Sequence, residues 1–113
     1  ETATFTATFT KAVTEATITL DEPLAVEGDI TVAILAVTGD IPVDAEYTVE
    51  VTNNAKDSSP VWQDATTEVK NGTNIVFENH ANTNGAAFNF RITVKRGSSN
   101  TGGHISGVSG AFQ

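Results

Sequence analysis

A chain of 113 residues fits one domain, and about two-thirds of the surface of its unfolded form can be buried on folding, enough for one core. It contains no cysteine, which excludes disulfide staples and thiolate metal sites, and its net charge of −8 disfavours nucleic acid as a partner. No apolar run reaches the ~20 residues of a membrane helix and no stretch reads as a signal peptide. The lack of any methionine leads to the expectation of a segment upstream of Glu1.

The charge is unevenly spread. Residues 1–50 carry ten acids and one base, Lys11, whereas residues 51–113 carry four acids and five bases. If both halves share one sheet system, the folded surface is electrically lopsided.

Eighteen threonines, many β-branched residues and the near absence of a helical period predict an all-β domain. The chain opens with ETATFTATFT, in which Ala3, Phe5, Ala7 and Phe9 share one face and threonine takes the other. Such a strand is half buried against a packed layer. It pairs within its own sheet or adds to the sheet edge of a neighbour. By Ala16, Ile18 and Leu20 the apolar residues have changed parity, so a turn or bulge is expected within TKAVTEA.

DEPLAVEGD reads as a loop. ITVAILAV, apolar on both parities, reads as a central strand covered on both faces. EYTVEVT alternates, with Tyr47, Val49 and Val51 inward. VWQDATTEVK and TNIVFEN flank Asn71–Gly72, which suits a type I′ hairpin turn. FNFRITVKR places Phe88, Phe90, Ile92 and Val94 inward. HISGVSGAF, interrupted by glycine, reads as an edge strand. About eight strands result, and their spacing predicts a single antiparallel β-sandwich over residues 1–113, immunoglobulin-like or jelly-roll. The six phenylalanines fall on inward parities and supply much of the core.

Little in the chain has the pattern of a chemical site. His80 and His104 lack a metal-ligand partner at a useful spacing. Asp21, Glu22, Glu27 and Asp29 bracket one loop without the spacing of a calcium loop. No phosphate-binding glycine loop is present, and no cofactor or catalytic residue is implied. Asn71-Gly72-Thr73 matches a glycosylation sequon, but the turn accounts for it. Trp62 is read as core. If Val61 points inward instead, Trp62 faces out and becomes a glycan or partner contact, with Tyr47 as a second stacking platform. Lys56, Arg91, Lys95 and Arg96 form a small basic edge suited to an acidic partner surface.

Residues 47–113 carry a recurring pattern. A valine-rich strand and a polar loop lead to Trp62-Gln63-Asp64-x-Thr66 and an Asn-Gly turn. An aromatic–arginine strand follows and ends in Arg96-Gly97. This pattern resembles the β-sandwich domains of tailed-phage virion proteins, among them head-decoration, fibre and tail-associated immunoglobulin- or fibronectin-like modules. The resemblance implies a non-enzymatic virion component that docks on capsid or tail proteins and on sister copies as a homo-oligomer. Neither nucleic acid nor membrane is implied as a partner. Residues 1–10 are then a candidate strand-exchange or docking segment, with Ala3, Phe5, Ala7 and Phe9 as its apolar face. Two alternatives stand beside it: a carbohydrate-binding module of a secreted or cell-surface protein, and a fibre subunit assembled by strand donation.

Overall fold

The computed structural model describes residues 7–8, 15–95, 97 and 104–113. Among these residues the elements in chain order are β1 (Ala7–Thr8), β2 (Glu15–Thr19), β3 (Leu24–Ala25), β4 (Val32–Asp40), β5 (Glu46–Thr52), β6 (Gln63–Asp64), α1 (Thr66–Asn71), β7 (Ile75–Val76), β8 (Ala87–Lys95) and β9 (His104–Phe112).

The strands pair in a nested series: β5 with β6, β4 with β7, β2 with β8, and β1 with β9, all antiparallel. This is one long ribbon folded over on itself. The folding places alternate pairs in two sheets, ordered β1-β9-β4-β7 and β2-β8-β5-β6. That strand order is a jelly roll, so of the two sandwich topologies left open by the sequence the chain adopts this one. The short β3 continues along β8 beyond the end of β2.

The core lies between the sheets. Phe88, Phe90, Ile92 and Val94 of β8 and Val49 and Val51 of β5 face Ala33 and Leu35 of β4 and Ile105 and Val108 of β9. The alternation of FNFRITVKR and EYTVEVT is therefore realised as read, with Tyr47 half-buried at the margin. The Phe88 ring stacks on Phe112 at 4.9 Å and meets Phe77 edge-on at 6.4 Å. These are favourable quadrupole geometries. Phe5 and Phe9 lie outside the described residues.

Three sequence expectations are corrected. β4 is central but not covered on both faces: Ala33 and Leu35 are buried, whereas Ile34, Ala36 and Thr38 are exposed. Ala and Thr at outward positions make a continuous-looking apolar run without needing a second cover. β9 is not an edge strand but runs between β1 and β4. At least one of its glycines answers to close approach: a Cβ on Gly110 would sit 2.5 Å from the Ile34 carbonyl oxygen.

The third correction concerns Asn71–Gly72. The segment before it is not a hairpin strand but helix α1. The Asp64 carboxylate accepts the N–H of Thr66 at 2.9 Å, placing a negative charge at the helix start. Gly72 follows the helix at φ 68°, its N–H bonding to the Val69 carbonyl while Thr73 N–H reaches that of Glu68. This pair of bonds is the Schellman ending. A hairpin turn and a Schellman ending both demand positive φ, and Asn-Gly satisfies either. Nothing lies within 4 Å of a Cβ at Gly72. Gly72→Ala is therefore expected to cost about 1 kcal/mol through backbone strain alone, read as a lower denaturation midpoint at unchanged slope.

Candidate functional site

The buried polar residues are structural. β2 and β3 do not follow β8 in one register: Thr19 pairs with Arg91, whereas Leu24 pairs with Phe88. The Asn89 side chain fills the break, its Oδ1 accepting from Leu20 N–H at 3.2 Å and its Nδ2 donating to the Leu20 carbonyl at 3.3 Å. An amide group thus substitutes for the missing ladder.

Asn53 and Asp57 tie the loops at one end of the sandwich. Asn53 Nδ2 donates to the carbonyls of Ile30 and Asn79, and Asn79 Nδ2 returns a bond to Asn53 Oδ1. The Asp57 carboxylate accepts from Asn84 N–H, Thr83 N–H and Asn54 Nδ2. The Asn84 amide first, then Asn54 and Thr83, hold its carboxyl below the ordinary value. A carboxyl whose folded pKa is depressed contributes stability above its unfolded pKa and loses it as pH falls through the folded pKa. Asp57→Asn should therefore lower the thermal midpoint at neutral pH, and wild type and variant should converge in acid. Equal melting of the two proteins at neutral pH would contradict this.

The same end holds His80, whose Nδ1 lies 4.0 Å from Asp29 Oδ2, and Asn82, which donates to Asp29 Oδ1 at 2.8 Å. Among the described residues no group of three His, Asp or Glu side chains is placed to hold a metal. Asp21, Glu22, Glu27 and Asp29 do not converge into such a group. His104 begins β9 rather than lying in a loop.

Trp62 is not part of the core cluster, contrary to its sequence reading. It precedes β6 and stands half-buried beneath Arg91, whose guanidinium carbon is 4.2 Å from the ring centroid. Val61 beside it is 47% exposed, so neither residue of the pair enters the core. Both lie ahead of the first paired residue of β6, where strand alternation does not yet apply. Arg91 also grips Glu50 with two bonds, Nε to Oε1 at 2.7 Å and Nη2 to Oε2 at 3.2 Å. The fork geometry fixes the guanidinium over the indole, a contact worth about 0.5–1 kcal/mol at such a half-exposed position.

Tyr47 is elsewhere. It points inward beside α1, with Lys70 Nζ 5.5 Å from its ring centroid, and burial raises its phenol to about 12. Trp62 and Tyr47 therefore form no common platform. Of the proposed basic edge, Arg91 is committed to Glu50, and Arg96 lies outside the described residues. Of the proposed assembly strand, Ala7 pairs with Ile105 and Thr8 with His104 of the same chain. Ala3, Phe5 and Phe9 lie outside the described residues.

The sequence reading missed the contrast between the two outer faces. On the β2-β8-β5-β6 sheet the strands turn out Thr17, Thr19, Glu46, Thr48, Glu50, Asp64, Arg91, Thr93 and Lys95. On the other sheet, β4 from Val32 to Thr38, β7, and β9 from Gly107 to Ala111 turn out no charged residue. Ile34 there is 40% exposed and Val76 69% exposed. A groove of about 180 Å³ opens on this side, lined by Val32, Ile34, Asn74, Ala111 and Gln113 among others. It is smaller than the ~300–1,000 Å³ of small-molecule sites. A signal for this face was present: TVAILAVT and GVSGAF together hold no charged residue on either parity.

Comparison of the chain with protein-family models, with curated proteins and with solved structures gives no match.

Proposed function

We propose that the protein is a non-enzymatic structural and interaction module of a phage particle, a capsid-decoration or fibre component that works by surface docking. The observation that carries this reading is the opposition of the two outer faces. One is charged and suited to water; the other exposes apolar and small residues in a flat sheet, as a part that sits against a neighbour does. The jelly roll recurs in viral capsid proteins and also in lectins, which supports the reading by fold-level analogy alone. The test is direct. Peptides of this chain should be recovered, at many copies per particle, from purified virions of the phage whose genome encodes it. Their absence from such particles would overturn the assignment.

A second reading, glycan binding, draws on Trp62, Arg91 and Glu50 sharing the charged face. It requires Trp62→Ala to abolish binding on a glycan array while the protein stays folded. An array on which the wild-type chain binds nothing rejects it.

A further inference from the structure

We propose that the outer face of the β1-β9-β4-β7 sheet is a self-association surface that takes a second copy of this chain, sheet against sheet. The proposal rests on the interaction-module reading and names the partner of that face. Ile34, Ala36 and Thr38 of β4, Val76 of β7, and Ser109 and Ala111 of β9 all turn outward there.

Charge selects the occupant. Two chains of −8 repel one another at long range. Pairing the opposite faces would bring Glu46, Glu50 and Asp64 of one copy towards those of the next. The uncharged face lets two copies meet without confronting acids. A strongly basic partner would instead be drawn to the acidic surfaces, so the neutral face is best matched by another neutral face.

Shape agrees. Alanine, serine and glycine at the outward positions of β9 and Ala36 on β4 leave the sheet low. Two such sheets can approach to about 10 Å, the spacing of stacked sheets. A nine-residue strand at ~3.4 Å per residue and four strands at ~4.8 Å give a face of about 600 Å². A two-fold pair would bury about 1,200 Å², the lower limit for a specific contact. The dimer is therefore weak in solution and gains strength where many copies are held together.

The test is sedimentation velocity of the full chain from about 5 µM to about 500 µM, in low salt and in about 0.5 M salt. The mass should rise towards that of a dimer. Salt should tighten the association, because it screens the repulsion of the chains while the contact itself contains no ion pair. Ala36→Glu should weaken dimerisation at least tenfold with an unchanged melting curve. Ser109→Glu should do the same from β9 and serves if the first variant does not fold. Thr48→Glu, on the opposite outer face, should leave the dimer intact. Mixing Ala36→Glu with Ala36→Lys should restore it. A monomer at every concentration and salt, or a dimer that both face variants leave intact, would overturn the proposal. A monomer that is nevertheless recovered from virions would reject this contact and leave the virion assignment standing.

Discussion

Replacing Phe90 with alanine is expected to cost about 3–5 kcal/mol of folding stability. Phe90 is 1% exposed and lies on β8, the strand that pairs with both β2 and β5. Its ring lies 6.4 Å from that of Phe88, which in turn stacks on Phe112 from the other sheet. The two sheets are joined across this point by packed side chains, and backbone ladders on both flanks of β8 hold the walls apart. The cavity left by alanine cannot collapse, so both the transfer and the cavity contributions are lost. Against a typical stability of about 5–15 kcal/mol the variant would be marginal at best. Phe90→Leu, which keeps most of the volume, should cost far less, about 1–1.5 kcal/mol. Urea denaturation of the three proteins measures both steps. A loss below about 1 kcal/mol for the alanine variant would mean that the sheets close over the gap, contrary to the packing described.

Asn53→Ala is expected to destabilise by about 2–4 kcal/mol, although the residue is polar and belongs to a connection between strands. Asn53 is 2% exposed, and its amide is the donor to two carbonyls, Ile30 at 2.9 Å and Asn79 at 2.7 Å. Truncation leaves these acceptors without that donor and leaves Asn79 Nδ2 without Asn53 Oδ1. Orphaned buried groups cost more than the net value of the bonds they made. Asn53→Asp tests the donor role specifically. At neutral pH a carboxylate would face two carbonyl oxygens and should be more destabilising than alanine. In acid the protonated carboxyl can donate again, so part of the loss should be recovered. An aspartate variant as stable as wild type at neutral pH would show that the amide donor is dispensable.

The sheet class and most of the core were legible in the sequence because period-two alternation survives wherever one face of a strand is buried. β5 and β8 carry it without interruption, and their inward residues are the ones read. What alternation could not supply was neighbour order, since Gly110 marks a close approach rather than an edge. Asn-Gly at 71–72 was ambiguous because the same positive φ ends a helix or turns a hairpin. Asn53 and Asn89 were read as loop and outward polar residues, yet both repair backbone pairing that only the folded register leaves broken. The uncharged outer face was hidden for a related reason. An apolar residue on the exposed parity of a central strand looks like a second buried face until the sheet is assembled.

Hydroxyl-radical footprinting of the chain in purified virions, set against the dilute purified chain, tests the docking face most directly. If the uncharged face is the one that docks, Ile34 and Val76 should be shielded in the particle while Trp62 and the fully exposed Val43 react as they do in the free chain. Shielding of Trp62 with Ile34 and Val76 still reactive would place the contact on the charged face and contradict the account.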